Sequence, residues 1–469
     1  MKNTPNLNFR SIISASQSVA IVLLFSTLIF MFAQYCILNN ASAPSSLPKL
    51  SEKDGGVFFA PSDTEVSGAL ITPVIAGFCN GERIVSPSVH NGDYEKFVRL
   101  SIPFVKAVFS DISTLLDFSS ESARAEYISD LTRGKSFLYF HFGNDLPAAA
   151  FYPSYAGDAQ EDIFHSFNLR ELYILLDGGS ISGVARDSLG NIATLSVQDK
   201  VSLSFDSFSA LLSSSFSNSL KFESVSGISL PVFESSVTTS KLFEYNTTGD
   251  FTQDNAEGVE NALSAFGFNP NGTRFYKSST DGSLTYVQEQ GELSVTVQGD
   301  IEYTSSGNGM PLSEFLDRQR NIYSFSEKIC SAYNIVNSLD KALYGKDASL
   351  CLSSVSYKEE LLTLKFSYMV SGIPFSLEPA AVFTFSDTSL ISASVTRKSI
   401  SRLANTGSDI PQKLLLAIYA PQIEDKAYLA QGAFIPVYTK ETGVEGGSIF
   451  SAKYAFVTAS DNHARKGGR

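Results

Sequence analysis

Residues Val19 to Leu38 form a run of 20 mostly apolar residues, and this run decides where the rest of the chain must fold. As a helix rising about 1.5 Å per residue it spans roughly 30 Å, the thickness of a bilayer's hydrocarbon core. Lys2 and Arg10 precede it, and the first acidic residue is Glu52. Basic charge on the short flank keeps that flank in the cytoplasm and sends the remainder outward. The expectation is a cell-membrane protein with one span, a cytoplasmic N-terminus (1–18) and the bulk of the chain extracellular. A cleaved signal peptide is the rival reading, because Ala41-Ser42-Ala43 fits the small-x-small pattern. The run exceeds the roughly 7–15 apolar residues of a signal peptide. Pro44 would also follow the cut, where its ring fits poorly in an extended protease cleft. Both points favour a retained anchor.

About 430 residues follow the span, enough for two or three domains. Without Lys2 and Arg10 the outward part holds 33 basic against 48 acidic residues, a net charge of −15. That balance argues against a nucleic-acid partner and against electrostatic adhesion to anionic headgroups. Cys36 ends the span, leaving Cys79, Cys330 and Cys351 outside, too few for a disulfide framework. A Cys330–Cys351 bridge stays open beside the favoured alternative of buried thiols.

Turn residues and apolar spacing divide the outward part. Residues 39–56 read as a stalk, 57–240 as a first α+β domain, 241–308 as a small helix-plus-meander domain, 309–460 as a larger one, and 461–469 as a basic tail. In the first domain, Tyr94 to Leu116 carries apolar residues near helical spacing, with Pro103 set to start, kink or divide the helix. Ser136–Phe142 and Leu169–Asp177 read as strands, and Phe205–Phe216 as a helix. In the second, a helix from Ala256 to Phe266 stops at Gly267. Turns at Asp281-Gly282, Gln290-Gly291 and Gly299-Asp300 then separate strands Leu284–Gln288, Leu293–Val297 and Ile301–Thr304. The third opens with an expected helix from Pro311 to Leu343, its stripe including Ile322, Phe325, Ile329, Val336 and Leu339. Strands at Leu361–Gly372, Ala381–Ser386, Leu390–Arg397, Leu414–Tyr419, Gly432–Thr439 and Ala452–Thr458 are expected to complete its sheet. The fold class is thus α+β: one transmembrane helix, then antiparallel meanders packed on helices. Helix-then-meander, used twice, hints at a structural repeat.

The chemistry of an enzyme is missing from the pattern. The chain has four histidines, and no HExxH or CxxC pattern occurs. His141 sits in the apolar strand Leu138-Tyr139-Phe140-His141-Phe142. No G-x-S-x-G elbow and no Gly-rich phosphate loop occurs. No catalytic residue, metal or cofactor is therefore expected. The 36 Phe and 20 Tyr, with no Trp, admit two readings. One is an apolar groove in the first domain for a lipid, peptide or cell-wall fragment; the other, favoured, is filler for several thin cores.

The span itself is two-sided. Ala20, Thr27 and Gln34 recur every seven residues, with Ser26 and Ala33 beside them. Small and polar residues drive helix pairing in lipid, where no hydrophobic gain between helices exists. These five are the candidate partner-binding face, a passive anchor being the equal alternative.

At the second region the chain resembles the YycH/YycI family of bacterial membrane-anchored regulators. The matching residues are Phe266-Gly267-Phe268-Asn269-Pro270, Tyr276, Asp281-Gly282, Tyr286-Val287 and the block Leu293 to Tyr303. Phe366 to Pro374 and the closing Ile435-Pro436-Val437-Tyr438 are similar too. The likeness covers residues 255–440, and Tyr438 stands where family members often carry a Trp. What it implies is a non-catalytic modulator of a WalK-type sensor histidine kinase that controls cell-wall homeostasis in a Gram-positive bacterium. The implied partners are that kinase in the membrane and a sister YycI-like protein.

The anchor reading predicts that the full-length chain stays with the membrane fraction after an alkaline wash. A mature chain free in the medium, beginning at Pro44 or Ser45, would contradict it.

Overall fold

The computed structural model describes residues 71–458, except 88–92, 110–111, 117, 119–120, 152–166, 178–179, 197–202, 215–217, 226–227, 235–237, 247–255, 271–273, 298, 317–321, 324, 340–348, 359, 377–378, 397, 409–411, 420–431 and 442–447. The expected span, stalk and basic tail lie outside the described residues. Among the described residues no helix is long and apolar enough to cross a membrane. They form an α+β structure of antiparallel sheets with few helices.

The first sheet has nine strands. In chain order these are β1 (Ile75–Asn80), β2 (Ile84–Ser86), β3 (Ile112–Leu116), β4 (Ser136–Pro147), β5 (Asn168–Asp177), β6 (Ser180–Arg186), β7 (Ile192–Ser196), β8 (Asn218–Val225) and β9 (Ile228–Phe233). They lie side by side as β3-β7-β6-β5-β4-β1-β2-β8-β9. Helices α1 (Asp93–Val108), α2 (Glu121–Thr132) and α3 (Asp206–Ser214) complete this part. β4 is apolar without alternation because both of its faces are covered: Leu138, Phe140 and Phe142 join one core, Phe137 and Tyr139 another. α1 buries Phe97, Val98, Phe104, Val105 and Val108 at helical spacing, and Pro103 lies inside it without ending it. The helix expected to reach Leu116 stops at Val108. Ile112–Leu116 instead pairs with β7 as an edge strand.

Strand β10 (Thr238–Asn246) leaves this sheet, and α4 (Ala256–Ala265) follows. α4 ends as its glycine demands. Gly267 has φ +67, and Phe268 N–H donates to the Leu263 carbonyl while Gly267 N–H donates to that of Ser264. This is the left-handed cap that satisfies a helix's last carbonyls.

A ten-stranded sheet comes next. β11 (Arg274–Lys277), β12 (Leu284–Gln288), β13 (Gly291–Val295) and β14 (Ile301–Ser305) form the first meander, and β15 (Met310–Pro311) is a two-residue strand. After α5 (Phe325–Leu339), β16 (Ser349–Lys358), β17 (Leu361–Val370), β18 (Ile373–Pro374), β19 (Ala381–Phe385) and β20 (Ser389–Val395) form the second. The two meanders meet last strand to last strand, with Ile301 opposite Val395 and Tyr303 opposite Ala393. α4 and α5 pack against each other. β17 follows its expected alternation, burying Leu362, Leu364, Phe366, Tyr368 and Val370.

The helix expected over Pro311–Leu343 is shorter. Met310 and Pro311 pair with β20, and Leu312–Glu314 make a single 3₁₀ turn. The turn between β19 and β20 takes the backbone instead: Leu312 N–H donates to the Thr388 carbonyl and Tyr323 N–H to that of Asp387. Ile322 is consequently exposed, while Phe325, Ile329, Val336 and Leu339 line the buried face of α5.

The last strands build a third sheet rather than extending the second. β21 (Lys398–Ser408), β22 (Gly432–Lys440) and β23 (Ser448–Thr458) combine with the distant β10 in the order β21-β10-β23-β22. Leu414–Tyr419, expected as a strand, lies in α6 (Gln412–Tyr419), which buries Leu415 and Leu416. Cys79 and Cys351 are buried, Cys330 is half-buried, and none of the three is bridged.

The three sheets meet at one joint. Phe375 stacks on Tyr438 with ring centroids 5.0 Å apart and meets Phe450 edge-on at 5.2 Å. Ser376 N–H donates to the Tyr438 carbonyl at 2.9 Å. The Ser371-Gly372 turn, with φ of 51 and 79, presses on α1 of the first part. There Ser371 Oγ donates to Glu95 Oε1 at 2.6 Å and accepts from Arg402 Nη2 at 3.3 Å. A Cβ on Gly372 would come within 2.5 Å of the Tyr94 ring, whose hydroxyl donates to the Pro73 carbonyl. Gly372→Ala should therefore cost more than the roughly 1–2 kcal/mol of a left-handed non-glycine residue. Denaturant titration checks this, and an unchanged midpoint would mean the joint is loose.

Candidate functional site

Ala20, Ser26, Thr27, Ala33 and Gln34, the face expected to bind a partner in the membrane, lie outside the described residues. Within the described part, buried charge gathers on the first sheet. Register explains it. The hairpin joining β5 and β6 sets Asp177 opposite Ser180, which places Glu171 opposite Arg186, and His141 of β4 lies opposite Glu171. Alternation then sends Tyr139, His141, Glu171, Tyr173 and Arg186 to one face, where Ile75, Val184 and Ile192 surround them together with Ile435 and Val437 of β22.

Glu171 is held by three donors. Tyr139 Oη donates to Oε1 at 3.2 Å, Tyr173 Oη to Oε2 at 3.4 Å, and Arg186 Nη1 to Oε2 at 3.3 Å. Burial, reinforced by the Glu171 charge, pushes both phenols well above their ordinary range, so both stay protonated donors. His141 moves the other way. Burial, then the charges of Arg170 and Arg186, holds it well below the usual imidazole range. Its Nδ1 has no hydrogen-bond partner among the described residues. From the other face of β5, Arg170 pairs with Asp145 at 3.8 Å, and the Ser188 hydroxyl donates to the same carboxyl group. Burial raises the Asp145 pKa, against the pull of Ser188 and Arg170.

This arrangement holds a structure together more readily than it performs a reaction. Glu171 already accepts from three donors, the tyrosines are neutral, and the cluster lies inside a core. Burial also raises the Cys79 thiol and pushes that of Cys330 up to about 11, opposite to the lowered pKa that marks a reactive cysteine. Among the described residues no group of three or more His, Cys, Asp and Glu could hold a metal ion. What the cluster does specify is register. A one-residue slip of β5 would turn Glu171 into the core around Leu172 and Ile174.

Most of the described aromatic residues of this part belong to its cores. Phe78, Phe97, Phe104, Phe205 and Phe208 contact one another between the sheet, α1 and α3, with centroids 5.0 to 6.1 Å apart. Phe151 packs on Phe109 and Phe142 in the same manner. The Glu171–Arg186 pair is not among the residues expected from the sequence; the signal for it is spacing, since each member lies six residues from the Asp177–Ser180 pair that closes the hairpin.

No family model matches this chain, and no curated protein matches it by sequence. Its fold is similar to that in the crystal structure of YycH from Bacillus subtilis. That alignment has a TM-score of 0.51 and 10% sequence identity, and covers 83% of this chain and 96% of that one. An uncharacterized protein from Eubacterium rectale aligns at a TM-score of 0.33 and 12% identity, over 51% of this chain and 84% of that one. The first likeness shows a YycH-like fold.

The environment of His141 predicts a pH dependence. Because the folded protein keeps this imidazole neutral, the unfolded chain takes up the proton first, below about pH 6.5. Its contribution to stability is therefore lost as pH falls below that point, by up to about 1.4 kcal/mol per pH unit until the folded pKa is reached. Denaturant unfolding between pH 7 and 5 should show a shallower loss for His141→Phe than for the parent. Identical slopes would remove His141 as the cause.

Proposed function

We propose that this chain is a non-catalytic, membrane-anchored regulator of a WalK-type sensor histidine kinase. The observation that carries the reading is the YycH-like fold, which extends over 83% of this chain. The motifs that resemble the YycH/YycI family add to it, because they form the fold's working joints. Phe266-Gly267-Phe268 is the left-handed cap of α4. The Phe366–Pro374 and Ile435–Tyr438 segments meet where the three sheets join.

In this reading Val19–Leu38 is the contact with the kinase, through Ala20, Ser26, Thr27, Ala33 and Gln34, and the sheets stand outside the cell. Small residues let helix backbones approach, and the Gln34 amide can hydrogen-bond across the pair. Such a regulator shifts the kinase only by preferring one of its signalling states. The outward body serves this by meeting the kinase's sensor domain or a sister YycI-like protein.

Gln34→Leu combined with Thr27→Leu should reduce association with the kinase at least several-fold in a membrane two-hybrid assay, while circular dichroism of the outward body stays the same. Full association in the double variant would remove the span from the mechanism.

A further inference from the structure

Sheet edges are hazards, because their unpaired backbone groups accept any extended chain. Two edges of this molecule are blunted. At β9 the Gln412 side chain accepts from Phe233 N–H at 2.7 Å and donates to the Pro231 carbonyl at 3.3 Å. At β16, the far end of the ten-stranded sheet, Asn144 Nδ2 donates to the Ser353 carbonyl at 2.7 Å. The opposite end of that sheet is β11, and no described strand pairs with its outer side.

β11 is also where apolar surface is left in water. Seven large hydrophobic residues are exposed among the described residues, and four of them, Phe275, Tyr276, Val287 and Val297, belong to this end of the sheet. Phe275 and Tyr276 are 63% and 52% exposed. They point to opposite faces. Phe275 lies opposite Tyr286, with rings 5.5 Å apart, on the face that leads to Leu293 and Tyr303. Tyr276 shares the other face with Arg274 and Val287. An added strand would thus meet an aromatic shelf on each side.

Charge selects the occupant. The strand reads Arg274-Phe275-Tyr276-Lys277, basic at both ends in a chain of net charge −13. β12 carries no acidic residue, and Glu292 and Glu302 lie on the second and third strands inward. Asp281 in the hairpin turn and Glu289 after β12 flank this end of the sheet, while the edge strand itself carries only the two basic charges. A second copy pairing in register would set Arg274 against Lys277 of its mate, like charges directly opposite, which is unfavourable.

We propose that β11 is a docking edge for an extended segment of a partner protein with the pattern acidic–apolar–apolar–acidic, which adds to the sheet as a further strand. Backbone pairing gives the affinity, and the residues opposite Arg274, Phe275, Tyr276 and Lys277 give the specificity. This goes beyond the kinase reading and does not depend on it, because it uses no residue of the membrane span.

The test uses the full-length chain in detergent micelles and a capped fluorescent octapeptide with Glu-Val-Tyr-Glu at its centre. Fluorescence anisotropy should show binding at least tenfold tighter than to the Lys-Val-Tyr-Lys version. Arg274→Glu with Lys277→Glu, both at exposed positions, should reverse that preference, and hydrogen exchange at 274–277 should slow when the acidic peptide is bound to the parent. Equal binding of both peptides, no binding at millimolar peptide, or an unreversed preference in the double variant would overturn the proposal. Self-association abolished by the double variant would assign the edge to a second copy, and loss of binding to phosphatidylglycerol vesicles would assign it to a lipid surface; either result also overturns it.

Discussion

The three sheets are held to one another by the packing of the Ser371-Gly372 turn against Tyr94, with Phe375 clasped between Tyr438 and Phe450 a few residues on. The turn belongs to the ten-stranded sheet, Tyr94 to the helix on the nine-stranded one, and Tyr438 and Phe450 to the four-stranded one. Fully buried aromatic pairs stabilise beyond their area alone. Here they also leave no room for an added methyl group at Gly372. Close packing of this kind joins sheets that could otherwise hinge, since packed cores adopt discrete arrangements rather than continuous ones.

Local signals in the sequence match the structure, and long-range pairings have no such signal. β17 displays its buried face in alternate residues, Gly267 marks the end of α4, and short turns fix the hairpins of the first meander. Each is decided within a few residues. The pairing of β14 with β20 joins positions about 90 residues apart, and β10 reaches β21 across about 160. No local pattern encodes such a choice. Tertiary contacts also overrode propensity at Pro311–Ile322, where the Asp387–Thr388 turn captures backbone groups that a helix would have used. Leu414–Tyr419 has the apolar density of a strand but is opened by Gln412, whose side chain is spent on the edge of β9.

The same distinction applies to the candidate sites. Glu171 and Arg186 meet by register, once Asp177 is set opposite Ser180. The exposed edge at Arg274–Lys277 does not, because exposure of a strand depends on what fails to pair with it. The five residues expected to meet a partner in the membrane rest on spacing and on the chemistry of helix association in lipid. The buried polar cluster around Glu171 illustrates why strongly shifted groups are not by themselves an active site: the Glu171 carboxylate is already held by Tyr139, Tyr173 and Arg186 inside a core.

The regulator reading is tested most directly by the autophosphorylation rate of a WalK-type kinase, reconstituted in lipid nanodiscs with and without the full-length chain. A rate altered by the full-length chain, and restored when residues 1–38 are deleted, is the predicted result. A rate that is the same with and without the chain would contradict it.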